Sequence, residues 1–78
     1  SHATVSNIFR EYLGVTLSEY LINLRLERAA ELLTNTSKST LEICPAVGYD
    51  SLSYFIKQFK KKFGVTPHKY RLNTKKNQ

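Results

Sequence analysis

A chain of 78 residues has room for one small core, and its single cysteine, Cys44, excludes an internal disulfide framework or a cysteine-based zinc site. No apolar run approaches the roughly 18 residues of a membrane span and no leader pattern opens the sequence, so a soluble cytoplasmic domain with no membrane partner is expected. The net charge of +6 makes a polyanion the first class of partner to consider.

Taken in chain order, every long periodic stretch has a helical period. Val5, Ile8, Phe9, Tyr12 and Leu13 form one apolar stripe that ends at Gly14, a residue free to take the positive φ of a helix C-cap. Thr16-Leu17-Ser18-Glu19 is a capping box that opens a second helix. Its predicted stripe is Tyr20, Leu21, Leu24, Ala29, Leu32 and Leu33, and it ends near Thr34 after roughly 25 Å. A polar loop, 35–38, leads to a second capping box, Ser39-Thr40-Leu41-Glu42. This predicts a short helix with Leu41, Ile43, Cys44 and Val47 as its apolar positions and Gly48 as its stop. Pro45 should kink that helix or delay its start, because it has no N–H for the Leu41 carbonyl. After the turn Gly48-Tyr49-Asp50, either Asp50 or Ser51 caps a fourth helix, whose core face is Phe55, Phe59 and Phe63 and which ends at Gly64. Pro67 suits the first position of a last short helix carrying Tyr70. The polar tail from Asn73 is predicted to fray. No strand pattern survives, so the fold class is all-α.

Sliding the chain by 50 positions exposes a repeat. Phe9, Gly14, Val15, Thr16 and Tyr20 fall on Phe59, Gly64, Val65, Thr66 and Tyr70. The helix at 2–13 is therefore the counterpart of the one at 52–63. The helix at 39–47 has no counterpart, which would stand before residue 1, so the first unit is expected to be incomplete. An apolar flank left bare in that way would promote self-association; otherwise the chain is expected to be monomeric.

A short helix, a three-residue turn containing glycine and a second helix form a helix-turn-helix, whose second helix enters the DNA major groove. With Phe55, Phe59 and Phe63 turned to the core, the opposite face carries Leu52, Ser53, Ile56, Lys57 and Lys60. On the first helix the matching face is His2, Ala3, Ser6, Asn7 and Arg10. Residues 1–50 carry four Lys/Arg against six acids, whereas residues 51–78 carry eight Lys/Arg and no acid. Arg10, Lys60 and Lys61 are expected phosphate contacts, although Lys60, Lys61 and Lys62 cannot all face one duplex. Arg25 and Arg28 are expected to pair with glutamates of their own helix, and Cys44 to be a small buried residue. The histidines are far apart, and neither a phosphate-cradling glycine loop nor a metal-ligand spacing occurs, so neither enzymatic chemistry nor a cofactor is expected.

These residues resemble the AraC/XylS-type family of bacterial transcription regulators. The similarity is carried by Ile8-Phe9-Arg10 with Gly14, by Tyr20-Leu21 with Arg25-Leu26, Ala29 and Leu32-Leu33, and by Glu42-Ile43 with Val47-Gly48-Tyr49. It continues through Ser53-Tyr54-Phe55, Phe59-Lys60, Gly64-Val65-Thr66-Pro67 and Tyr70-Arg71. The resemblance implies two helix-turn-helix units of homeodomain-like form joined by a long linker helix. Residues 1–15 would hold the recognition helix of the incomplete first unit, 16–35 the linker, 36–72 the second unit and 73–78 a flexible tail. It implies base contacts from Ala3, Ser6, Asn7, Leu52, Ser53, Ile56 and Lys57, and a phosphate contact from Tyr54. It further implies double-stranded DNA as partner and, in a full-length regulator, activation through RNA polymerase.

Overall fold

A computed structural model describes the backbone of residues 2–76 and the side chains of residues 7–75. The described residues form five helices: α1 (His2–Leu13), α2 (Leu17–Asn35), α3 (Thr40–Ala46), α4 (Leu52–Phe63) and α5 (Pro67–Lys76). Local chemistry sets most of the boundaries. At the start of α2 the Thr16 hydroxyl accepts from the Glu19 N–H at 3.1 Å, while the Thr16 N–H donates to the Glu19 carboxylate at 3.3 Å. Ser39 and Glu42 repeat this exchange at α3, with 3.1 and 3.0 Å. Two orphan donors are satisfied reciprocally at each site. At α4 it is Ser51, rather than Asp50, whose side chain accepts from the Tyr54 N–H, at 3.2 Å.

The 50-residue repeat is realised in three dimensions. α1 and α4 each have 12 residues, and both are followed by a glycine of positive φ, 76° at Gly14 and 81° at Gly64. The next threonine caps the following helix in both units: Lys69 N–H donates to the Thr66 hydroxyl at 3.2 Å, as Glu19 does to Thr16. Even the aromatic contact recurs, with ring centroids 5.2 Å apart for Phe9 and Tyr20 and 5.5 Å for Phe59 and Tyr70. One difference is legible: Lys69 stands where Glu19 would complete the box, so the second cap is one-sided.

The core lies among α2, α3, α4 and α5. Leu26, Ala29, Ala30 and Leu33 of α2 meet Ile43, Cys44 and Val47, the turn residue Tyr49, and Phe55 and Phe59 of α4. Ala29 and Phe59 are both fully buried, so small and large side chains share one core. Each fully buried Leu, Ile or Phe stabilises by roughly 1.5–3 kcal/mol. α5 closes the far side through Tyr70, packed on Phe59 and Phe63.

Several expectations need correction. On α2 the buried leucine of the middle turn is Leu26, whereas Tyr20, Leu21 and Leu24 are 38–46% exposed. The core covers the C-terminal half of α2, so the true stripe is shorter and rotated. Along α1 the predicted stripe stays largely open: Ile8, Tyr12 and Leu13 are 49%, 80% and 56% exposed, because α1 packs chiefly on the start of α2. Val5 lies outside the described side chains. Leu41 is 67% exposed and not a core position. Pro45 does not delay α3, which starts at its Ser39 cap; Leu41 and Pro45 both lie on the exposed flank of the helix. Finally, α5 runs through Asn73 to Lys76, past the expected fraying point, with the Thr74 hydroxyl donating to the Arg71 carbonyl at 2.8 Å.

Candidate nucleic-acid interface

The interface is built outward from the turn between α3 and α4. Val47 N–H donates to the Ile43 carbonyl at 3.0 Å, Gly48 to Pro45 at 3.1 Å and Tyr49 to Cys44 at 3.0 Å, which closes α3. Gly48 has φ of 99°, a conformation that calls for glycine, and a Cβ there would stand 3.2 Å from the Nε of the flexible Arg25 side chain. Tyr49 is buried, its ring tilted against those of Tyr54 and Phe55 at centroid distances of 5.9 and 5.2 Å. Cys44 is also buried, its thiol 3.6 Å from the Tyr49 carbonyl, and burial pushes the thiol above its ordinary pKa; it is an inert packing residue, as its sequence context predicts.

With the turn fixed, the outer face of α4 follows. Ser53, Lys57, Lys60 and Lys61 are exposed, and Tyr54 is 48% exposed. Leu52 and Ile56 are half-buried and pack against the core, so the picture of Ile56 as a fully outward residue is corrected. Both line the edge where the exposed face of α4 meets the hydrophobic interior. On α1, Asn7 and Arg10 are exposed, while Ala3 and Ser6 fall outside the described side chains. Asn7 and Arg10 occupy the repeat positions of Lys57 and Lys60. Hydrogen bonds with Thr16 hold the Glu19 carboxyl below its usual range, and the nearby Arg10 charge adds to this.

The basic C-terminal segment divides into structural and free cations. Lys62 Nζ lies 3.3 Å from Asn23 Oδ1 and 3.9 Å from Glu27 Oε1, and 5.5 Å from the Phe63 ring centroid. It joins α4 to α2 and is the member of the lysine run that is turned away. Arg71 Nε donates to the Leu33 carbonyl at 3.0 Å and its terminal nitrogen to the Thr36 carbonyl at 3.1 Å. A cation there satisfies the orphan carbonyls at the end of α2. Nothing in the local sequence marks either role, since the partners stand 35 or more residues away. Arg28 pairs with Glu31 at 3.4 Å as expected, but Arg25 makes no ion pair among the described residues. No acid stands three or four positions from it, so its helix cannot supply one.

No group of three or more metal-ligating side chains occurs among the described residues, and no described helix is long and apolar enough to cross a membrane.

Comparison with known proteins agrees with this geometry. A family model described as a helix-turn-helix domain matches residues 1–73. The HTH-type transcriptional activator RhaR of Mannheimia succiniciproducens is 44% identical over 69 residues, covering 88% of this chain and 25% of that protein. The HTH-type transcriptional regulator ArgR of Pseudomonas aeruginosa is 38% identical over 71 residues, covering 91% of this chain and 22% of its own length. The chain thus spans about a quarter of the length of such relatives. Among solved structures, the C-terminal domain of AraT, a response regulator from Geobacillus stearothermophilus, superposes with a TM-score of 0.90 at 40% identity, covering 94% of this chain and 60% of that one. A Chromobacterium violaceum regulator described as having an AraC-type DNA-binding domain gives 0.86 at 36% identity, covering 92% and 64%. The tandem all-α arrangement, the turn at Gly48 and these matches together place the chain in the AraC-type helix-turn-helix family, as a DNA-binding domain of transcription regulators and not an enzyme.

Proposed function

We propose that the chain binds double-stranded DNA sequence-specifically, with α1 and α4 entering successive major grooves on one face of the duplex. The observation that carries this reading is the repeat: two helices of equal length, each closed at its C-terminus by a glycine of positive φ, with exposed polar or basic residues at equivalent positions. The long axis of the molecule, 44 Å, is long enough to span the ~34 Å rise of one turn of DNA, which the two-groove reading requires. Ala3, Ser6 and Asn7 of α1 and Leu52, Ser53, Ile56 and Lys57 of α4 contact base edges. Asn and Ser read donors and acceptors, Lys57 donates to guanine, and the accessible side of Ile56 meets a thymine methyl. Arg10, Tyr54, Lys60 and Lys61 contact phosphates, which position the domain without specifying sequence.

In a longer regulator this domain directs cytoplasmic transcription activation through contact with RNA polymerase. The activator RhaR, similar over the length of the domain, supports that reading. The test is a salt titration of duplex binding: with about five phosphates neutralised, log K falls with log[salt] at a slope near −4 to −5. Absence of duplex affinity at low salt would reject the reading.

A second reading concerns assembly. Ile8, Tyr12 and Leu13 leave an exposed apolar flank that supports self-association of the chain; sedimentation over a concentration series, giving a monomer mass throughout, would dismiss it.

A further inference from the structure

Among the described residues the charge of Arg25 has no ion-pair partner, and the fold carries it to a particular place. Its side chain leaves α2 and lies on the turn before α4, with Nε and Cδ 3.2 and 3.6 Å from the Cβ position of Gly48. The guanidinium thereby joins the wall of an open cleft of about 400 Å³, together with Tyr49, Asp50, Ser51 and Tyr54. The cleft sits at the N-terminal end of α4, which has no acid in its first turn. Tyr49, only 6% exposed, contributes a hydroxyl that finds no hydrogen-bond partner, so Arg25 has no acceptor there either. Asp50 is the one acid on this wall and is not within ion-pair distance of Arg25.

We propose that Arg25 is a DNA-backbone contact, its guanidinium taking a phosphate beside Tyr54 as the N-terminal end of α4 enters the groove. This rests on the DNA-binding reading and extends the contact surface from the recognition helices to the linker helix α2. Three physical reasons support it. A guanidinium fork matches phosphate oxygens bidentately. The positive end of the α4 dipole favours an anion at the same spot. Helix-turn-helix docking brings that end of the second helix to the duplex. Asp50 opposes the anion, and the short bidentate contact with Arg25 outweighs a carboxylate that is farther away and solvated.

The test uses the whole chain and a short mixed-sequence duplex, since a phosphate contact is independent of sequence. Fluorescence anisotropy is read over a range of salt concentrations. Arg25→Gln should weaken binding equally on all duplexes and reduce the magnitude of the salt slope by about 0.9, while the thermal midpoint of the free protein stays unchanged. Arg25→Lys, which keeps the charge, should keep the slope. If Arg25 merely packs on the turn, the Gln variant lowers the midpoint and leaves the slope intact, and that result overturns the proposal. A readout independent of any variant is the Arg25 Nε–H resonance of the unmodified protein, which should shift on adding duplex at low salt; a resonance that stays in place is equally decisive against it. Failure of the unmodified chain to bind any duplex would remove the DNA reading and this contact together, whereas normal binding with an unaltered slope in Arg25→Gln removes only the contact.

Discussion

Replacing Tyr49 by phenylalanine deletes one oxygen from the interior and leaves the ring in place. The residue is 6% exposed, and its hydroxyl is buried with no partner, while the ring keeps its neighbours Tyr54 at 5.9 Å and Phe55 at 5.2 Å. In the unfolded chain that hydroxyl is hydrated, so folding strips it of water without repayment, at a cost of roughly 1–3 kcal/mol. Taking the lower end, since the neighbouring Arg25 charge offers some compensation, Tyr49→Phe should stabilise by about 1 kcal/mol. For a domain of this size that raises the thermal midpoint by roughly 4–8 °C. The pH dependence has a definite sign. Burial, and then the neighbouring Tyr54, push the Tyr49 hydroxyl above its ordinary pKa, with Arg25 pulling the other way. The folded state therefore holds this proton longer than the unfolded state does. Stability is fully present below pH of about 10 and declines as pH rises beyond it; the Tyr49→Phe variant, with no proton to lose, should flatten that decline. Differential scanning calorimetry of both proteins from pH 7 upward measures both effects. A midpoint lowered by several degrees in the variant would instead mean that the hydroxyl has a partner in solution, and that its burial costs nothing.

Thr16→Ala should cost about 1 kcal/mol in urea unfolding, and Thr66→Ala less, because Thr16 shares its cap with Glu19 whereas Lys69 leaves Thr66 alone; equal losses would deny the capping box any added value. Lys57→Ala should weaken binding to a preferred duplex by roughly 1–3 kcal/mol, measured by anisotropy, and equal affinity would remove it from the base contacts. Lys62→Ala should lower the thermal midpoint and leave the salt slope of binding unchanged, because its ammonium is engaged with Asn23 and Glu27. Hydrogen bonds from Thr16 and Ser39 hold the carboxyls of Glu19 and Glu42 below the usual 4.5, so their stabilising contribution is present above that value and is lost as pH falls through the lower folded values. Glu42→Gln, which retains an acceptor for the Ser39 N–H without titrating, should weaken the acid dependence of helix content measured by circular dichroism.

Features that rest on neighbours along the chain are readable before any tertiary contact is known. Thr16 with Glu19 and Ser39 with Glu42 open α2 and α3 because a cap bonds to the backbone three residues on. Gly14 and Gly64 end α1 and α4, and the 50-position repeat made the two units and their outward faces legible, including exposed Asn7, Arg10, Ser53, Lys57 and Lys60. Tertiary structure decided which side chains that pattern leaves free. Leu26 and Leu24 differ in burial because the core covers only one sector of α2, and Ile56 turns half inward because it borders that core. Lys61 and Lys62 are adjacent and identical in sequence, yet only the latter meets Glu27 and Asn23. Arg71 closes the end of α2 from 35 or more residues away, and Arg25 lies on the turn at Gly48. Such contacts depend on where separate helices come to rest against one another, a relation set by the packing of the whole core and carried by no local spacing.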